Sequence, residues 1–161
     1  MAPTKYNARD VRFQIEDFLN PGTWYEFRTA NAASGSTEGG INTFSRSFEY
    51  EATDTTTFGS AGRAETQNMQ EGLSMTLEGF RLVDPSTGAL DPAQSFAELQ
   101  AARLGTDSLC GFRFAAPGAT TWTVWAASTW QLGDQGGGNN DKVSWSVTVT
   151  RSGPSTTAVI V

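Results

Sequence analysis

The sequence has no histidine and only one cysteine, Cys110, among its 161 residues. Without histidine, Ser–His–Asp and Cys–His catalysis are excluded, and the commonest ligand of zinc and haem is missing. A single cysteine excludes an internal disulfide and any multi-cysteine metal site. Cys110 stands just before Phe112 and Phe114, and we expect it to be a small buried apolar residue. The sequence indicates no cofactor and no metal.

Long apolar segments and concentrated basic charge are also missing. No segment approaches the roughly 18 apolar residues of a membrane span, and the first residues, MAPTKYNARD, do not resemble a secretion signal. We therefore expect a protein made in a cytosol, with no membrane partner. The 11 basic and 17 acidic residues give a net charge of −6, and the densest basic group is only Lys5, Arg9 and Arg12. Because nucleic-acid binding needs a basic face, tight DNA binding is disfavoured.

Period-two alternation of apolar and polar residues predicts half-buried β-strands along much of the chain. In segment 142–150, Trp145 alternates with valines and is expected in the core. Trp122 and Trp125 are three residues apart, so they should face opposite sides of their strand. One of them is then expected at an interface, at a ligand site or under a helix. The predicted strands are 10–17, 22–29, 44–53, 73–78, 111–115, 120–128 and 142–150.

One segment, 91–104, has the signals of a helix. Asp91 is placed as N-cap, Pro92 at the first helical position and Gln94 as the capping-box partner. Gly105 is expected to end the helix. A moderate apolar stripe should dock it on a sheet, and it consists of Phe96, Leu99 and Leu104.

Together these elements predict a mainly β fold of two packed sheets, as a sandwich or open barrel of about seven strands with one flanking helix. Residues 1–153 are expected to be a single domain and 154–161 a short C-terminal tail. Three long glycine-rich loops, 30–43, 59–71 and 131–141, are candidates for function. The strands on either side of 30–43 are expected to form a hairpin.

Enzymatic and metal-binding chemistry has little support in these residues. A carboxylate pair, as in glycoside hydrolysis, would use Glu49 and Glu51 with Glu78 nearby, but strand faces commonly carry solvated glutamates. The segment GDQGGGNND departs from the calcium nonapeptide pattern at Asn139, so we interpret it as a turn before the last strand. An exposed tryptophan platform of a monomeric carbohydrate-binding module remains an alternative.

The order of several motifs resembles that of a known family. A strand ending in TDTTTFGSAG is followed by RAE and GLSMTLEGF, then by a helix opened by DP, a Phe-rich strand and the closing GGGNNDKVSWSVTVTRSG. This combination, over residues 5 to 153, resembles the major tail (tail tube) proteins of long, non-contractile-tailed bacteriophages of siphophage type, especially those of actinobacteria.

The resemblance implies a structural virion protein and not an enzyme. Copies would join as hexameric rings that stack into a hollow tube with a shared β-barrel wall, assembled in the bacterial host cytoplasm. Genome DNA would pass through the bore without tight binding. A tape-measure protein, a tail terminator and tail-tip proteins are the other implied partners.

Two groups of residues are expected to serve this role. Glu49, Glu51 and Glu78 lie on polar strand faces and are candidates for the lumen wall; the alternative is that these faces point to outer solvent. Glycine-punctuated loops are candidates for ordering on contact with neighbouring subunits. These loop residues are Gly35, Glu38, Gly39, Gly40, Phe58, Gly59, Gly62, Arg63, Glu65, Gly136, Gly137 and Gly138.

Overall fold

The structure, a computed structural model, describes residues 2–29 and 39–161 of the chain. The strands are β1 Arg12–Glu16, β2 Trp24–Glu26, β3 Ile41–Asp54, β4 Thr66–Phe80, β5 Leu109–Ala115, β6 Thr121–Leu132, β7 Ser144–Arg151 and β8 Ser155–Val159. The helix α1 is Pro92–Ala101, and short 3-10 turns cover Ala8–Asp10, Phe58–Ser60 and Gly105–Ser108.

All eight strands belong to one antiparallel hydrogen-bonded sheet with the order β2-β1-β5-β6-β7-β4-β3, and β8 also pairs with β6. The sheet curls so that its two ends face each other. Phe13 on β1 and Phe44 on β3 are far apart in this order, yet their ring centroids are 5.0 Å apart. The mainly β fold with one helix is confirmed, and its two predicted layers are two parts of one curled sheet.

The interior between these parts is aromatic and aliphatic. Trp145 and Trp125 are completely or almost completely buried, as is Phe112. Cys110 is buried as predicted, and burial raises the pKa of its thiol to about 12. The predicted alternation therefore reports the core-facing side of these strands correctly.

Residues 154–161 are more than the short tail predicted from the sequence, because they contain β8. β7 and β8 pair with the same edge of β6, one after the other. Arg151 of β7 pairs with Ser128, and Ser155 of β8 pairs with Trp125. Gly153, at the joint between β7 and β8, has a φ of 95°, a left-handed conformation that glycine adopts readily. Because β8 is mostly exposed on both faces, it has no apolar alternation to reveal it.

The long hairpin of the molecule is β3–β4, paired from Ile41 opposite Gly79 to Asp54 opposite Thr66. The predicted hairpin between segments 22–29 and 44–53 is wrong, since β2 pairs with β1 at the other end of the sheet. Residues 66–71, predicted as loop, are part of β4. Their sequence, TQNMQE, is exposed on both faces and therefore has no period-two signal.

Two parts of this hairpin are distinguished below. The hairpin root is 41–47 with 74–80, where β4 also pairs with β7. The hairpin outer end is 48–54 with 66–73, where β4 has no strand on its other side among the described residues.

The helix packs through a different face from the one predicted. Its buried residues are Ala93, Gln94, Ala97 and Gln100, whereas Leu99 and Leu104 are exposed and Phe96 is partly buried against Tyr25. Small alanines allow the helix to approach the sheet closely.

The predicted capping box is also wrong, because both of its side chains bind elsewhere. Asp91 makes no cap bond and accepts a hydrogen bond from Arg28 Nε at 2.6 Å. Gln94 donates to the carbonyl of Phe80 at 2.9 Å and accepts from the Leu82 amide at 3.0 Å. The Gln94 contacts join the helix to the end of the hairpin root, and the Asp91 contact joins it to the segment after β2.

Candidate functional site

One face of the four strands β6, β7, β4 and β3 is polar, except for Phe80 at the end of β4. Residues directly opposite each other in paired strands point to the same side, so the registers assign this face. It contains no lysine or arginine and consists of Thr43, Ser45, Ser47, Glu49 and Glu51 of β3, Gln70, Gly72, Ser74, Thr76, Glu78 and Phe80 of β4, Ser144, Ser146, Thr148 and Thr150 of β7, and Thr129 and Gln131 of β6.

All three candidate lumen glutamates lie exposed on this polar face. Glu49 is opposite Gly72 and Glu78 is opposite Ser146. Gly72 and Glu78 are six residues apart on β4, which is about 20 Å along a strand. Glu78 therefore cannot act with Glu49 as a catalytic carboxylate pair, and the glutamates instead spread negative charge along the face.

The opposite side of the hairpin outer end carries exposed aromatic side chains next to Glu71, which is opposite Tyr50. Phe48 and Tyr50 follow the core-facing residues of β3, but 48% and 56% of their surfaces are exposed. Met69, which has no partner in the register with β3, is 62% exposed. The period-two alternation in the predicted strand 44–53 indicates that one face is apolar, but not whether the same chain covers that face.

The tip of the hairpin brings together the candidate residues Phe58, Gly59, Gly62, Arg63 and Glu65. Phe58 is fully exposed at the start of a 3-10 turn. Gly62 has a φ of 76°. The Glu65 carbonyl accepts a hydrogen bond from the Thr55 amide at 2.9 Å and closes the loop.

The other candidate loop residues lie elsewhere. Gly136 is bridged to Ser144 at the hairpin root, at the opposite end of β4 from the tip. Gly40 is buried and packs closely against Leu82 of its own subunit. A Cβ added at Gly40 would meet the Leu82 side chain at 2.9 Å. Gly39 is exposed beside it. Gly137 and Gly138 follow in the exposed turn closed by Asp141, whereas Gly35 and Glu38 lie outside the described residues.

None of the five tryptophans, all of which lie within the described residues, forms an exposed platform. Trp122 and Trp125 face opposite sides as predicted, but both are buried. Trp122 lies under the guanidinium groups of Arg12 and Arg113, 4.7 and 4.6 Å from its ring centroid. Arg113 also covers Trp24 at 4.2 Å, and burial lowers the pKa of this arginine.

A cavity of about 280 Å³ lies beside this arginine and tryptophan group. The two carboxylates in its lining, Glu26 and Asp91, are in ion pairs with Arg12 and Arg28 at 2.7 and 2.6 Å. None of the three candidate lumen glutamates lines it. In ranges 2–29 and 39–161, no group of three histidine, cysteine or acidic residues is placed to hold a metal, and no helix is long and apolar enough to cross a membrane.

No protein-family model and no curated protein matches the sequence. Solved structures share its fold. A chain in the tail of an empty gene transfer agent (GTA) particle, determined by helical refinement with C6 symmetry, aligns with a TM-score of 0.63 and 14% identity over 96% of this chain and 100% of that chain. A chain of the native GTA virion aligns with 0.60 and 13% identity over 96% and 100%.

A third similar chain comes from the sheath–tube complex of an extracellular contractile injection system in its extended state. It aligns with a TM-score of 0.55 and 8% identity over 97% of this chain and 93% of that chain. This protein therefore shares its fold, over nearly its whole length, with a chain of a six-fold symmetric tail and a chain of an injection system.

Proposed function

We propose that this protein is a tail-tube subunit whose copies form hexameric rings, stacked into a hollow tube that delivers genome DNA. The observation that carries the proposal is the fold match to a chain of a C6-symmetric tail, which covers 96% of this chain and all of that one. The fold also occurs in a contractile system, so the siphophage type rests on the sequence resemblance alone.

The hairpin outer end supports assembly on physical grounds. A two-stranded ribbon with both faces in water is marginally stable, and a long free strand edge favours pairing with another chain. Phe48 and Tyr50 would leave water when a second subunit covers them. Assembly therefore supplies the stabilisation that this part of the monomer lacks.

The polar face supports a role as the lumen wall. Glutamates and hydroxyl groups offer no cation to DNA phosphates, so DNA could slide along such a wall without being held. In this proposal Glu49, Glu51 and Glu78 face the bore. The tape-measure protein, tail terminator and tail-tip proteins are its proposed partners, and the assembled tail of the virion is its proposed location.

Electron microscopy of the purified protein tests the assembly. Negative-stain images at increasing protein concentration should show six-fold rings or uniform hollow tubes. A compact single particle at every concentration would contradict the proposal.

The lumen assignment has a separate test. Glu49→Lys with Glu51→Lys should leave tubes intact but slow DNA ejection from reconstituted particles, because the new ammonium groups bind phosphates. The matched control, Asp107→Lys with Asp134→Lys, makes the same charge change on exposed residues outside the polar face. Equal ejection rates in both double variants would argue against luminal placement.

A further inference from the structure

The cavity of about 280 Å³ lies where the pairing of β1 and β2 ends. The Phe27 amide donates to the Phe13 carbonyl at 2.9 Å, which extends the antiparallel register beyond the last residue of β2. By this register Arg28 lies directly opposite Arg12, and both residues line the cavity. Residues opposite each other in an antiparallel pair have Cβ atoms about 5 Å apart. The cavity therefore has two arginines side by side in its wall.

Two positive side chains opposite each other repel, and each of these has a carboxylate partner. Arg12 donates through Nε to Glu26 at 2.7 Å, and Arg28 donates through Nε to Asp91 at 2.6 Å. The two carboxylate side chains are only 9% and 3% exposed, against 26% for each arginine. The accessible part of each ion pair is therefore its guanidinium end.

The terminal nitrogens of both guanidinium groups remain available. Arginine has five N–H donors, and four of them are on the terminal nitrogens. Among the described residues, no acceptor is hydrogen-bonded to the terminal nitrogens of Arg12 or Arg28. Arg12 also lies over the Trp122 ring, 4.7 Å from its centroid, and this contact restricts its orientation. Two planar donor groups of this kind match the geometry of a carboxylate.

The rest of the wall is largely aromatic or apolar. Trp24, Tyr25 and Pro92 line the cavity together with the arginines. A volume of about 280 Å³ is close to the lower end of the roughly 300–1,000 Å³ of ligand pockets. The cavity is therefore suited to a small organic molecule that has an apolar body as well as a charged group.

We propose that this cavity binds a small organic carboxylate. The carboxylate accepts hydrogen bonds from the terminal nitrogens of Arg12 and Arg28, and the apolar body lies against Trp24, Tyr25 and Pro92. The same chemistry is offered by a free acid of this size and by an acidic side chain of another protein chain. Because one chain supplies all of these residues, the site does not depend on tube assembly.

An amine is the rival ligand, since carboxylates and aromatic rings also bind cations. Asp91 Oδ2 has no hydrogen-bond donor among the described residues, but this atom is buried. An amine in the cavity would instead meet the accessible guanidinium groups of Arg12 and Arg28, which repel it. The observations therefore favour the carboxylate.

Three probes of the same shape but different charge provide the test. Cyclohexanecarboxylate, cyclohexanecarboxamide and cyclohexylmethylamine are titrated, at constant ionic strength, into the full chain below its assembly concentration. Ligand-observed NMR measures binding. We expect saturable binding of the acid and about tenfold weaker binding of the amide, because the amide loses charge-assisted hydrogen bonds. Equal binding of acid and amide, or a preference for the amine, would overturn the proposal.

Paired substitutions show whether the two arginines hold the acid. Arg28→Gln with Asp91→Asn removes one guanidinium group without changing the net charge or leaving a buried carboxylate unpaired, and should weaken binding about tenfold. Arg12→Gln with Glu26→Gln should do the same, and it serves if the first variant does not fold.

The matched control removes an ion pair outside the cavity lining. Arg103 and Asp107 are 3.8 Å apart, and Arg103→Gln with Asp107→Asn should bind the acid as the wild type does. An equal loss of binding in this control would overturn the assignment to Arg12 and Arg28.

A tripeptide with blocked ends and a central glutamate separates the two sources of the carboxylate. Tighter binding of the tripeptide than of cyclohexanecarboxylate would assign the site to an acidic side chain of another protein, and weaker binding would assign it to a free acid. If neither carboxylate binds, the proposed site is wrong.

Discussion

The root and the outer end of the β3–β4 hairpin are built from the same two strands, but their surroundings differ. At the root, Leu77 and Met75 are buried against the rest of the sheet. At the outer end, Phe48 and Tyr50 continue the same side of β3 and remain about half exposed. The difference arises because β7 accompanies β4 only as far as Ser74. An apolar strand face therefore indicates that something covers it, and the covering surface need not belong to the same subunit.

The largest expected effect on the free energy of unfolding is the difference between a phenylalanine in the core and one in the hairpin outer end. Phe112→Ala should lower the free energy of unfolding by about 3–5 kcal/mol, because the ring is completely buried. Phe48→Ala should change it by less than about 1 kcal/mol, because half of the ring is already in water. Urea denaturation followed by circular dichroism, at concentrations below assembly, measures both values.

The same two variants should rank differently in assembly. Phe48→Ala should fold normally but require a higher concentration to form tubes, because its ring is proposed to be buried only between copies. Equal losses of monomer stability for Phe48→Ala and Phe112→Ala would show that the outer end is already packed in the monomer. The contrast between the two regions would then be wrong.

Two glycines of β4, one in the root and one in the outer end, differ in the space that is available for a side chain. A Cβ added at Gly79, in the root, would overlap the carbonyl oxygen of Gly40. A Cβ at Gly72, in the outer end, would meet Glu49 Cβ at an ordinary 3.5 Å. Gly79→Ala should therefore cost about 3 kcal/mol in unfolding free energy, whereas Gly72→Ala should alter it by at most about 1 kcal/mol.

Thermal denaturation of the two glycine variants, side by side, provides the measurement. A lower melting temperature for Gly79→Ala alone is the expected result. A comparable decrease for Gly72→Ala would mean that the outer end has less room than an open ribbon provides.

Sequence analysis succeeded where one subunit supplies both sides of a contact. The alternation in segment 142–150 correctly placed Trp145 in the core, since period two reports a strand with one buried face. It missed 66–71 and 155–159, because strands exposed on both faces carry no such period. Their pairing with β3 and β6 depends on backbone hydrogen bonds, which any of these side chains permits.

The candidate site was only partly predictable for a related reason. The sequence identified Glu49, Glu51 and Glu78 as strand-face residues, and the registers place them on a common polar face. It could not show that Trp130–Leu132 pair with β7 but have no second strand beside them among the described residues, because a missing neighbour is a property of the topology. The sequence also did not show that Tyr50 is exposed, because the topology decides whether another part of the chain covers a strand face.

Of the three substitutions expected to destabilise the protein clearly, Gln94→Glu should have the smallest effect, and it separates a local role of this residue from a tertiary one. Its side chain is almost completely buried and bonds both the Phe80 carbonyl and the Leu82 amide. Glutamate would suit a capping box equally well, but it cannot donate to Phe80 and would bring a charge into the buried site. Gln94→Glu should therefore lower the free energy of unfolding by about 2 kcal/mol.

A control variant, Ser95→Glu, and hydrogen exchange show whether the loss of stability in Gln94→Glu is confined to the hairpin root. Ser95→Glu adds the same charge to the same helical turn without touching Phe80, and we expect it to be nearly neutral. Hydrogen exchange in Gln94→Glu should be faster at the Phe80 amide of the root, which donates to the Gly40 carbonyl, and unchanged in the outer end. If Gln94→Glu were as stable as the wild type, the side chain would be acting as a helix cap, and the hairpin root would not depend on the helix.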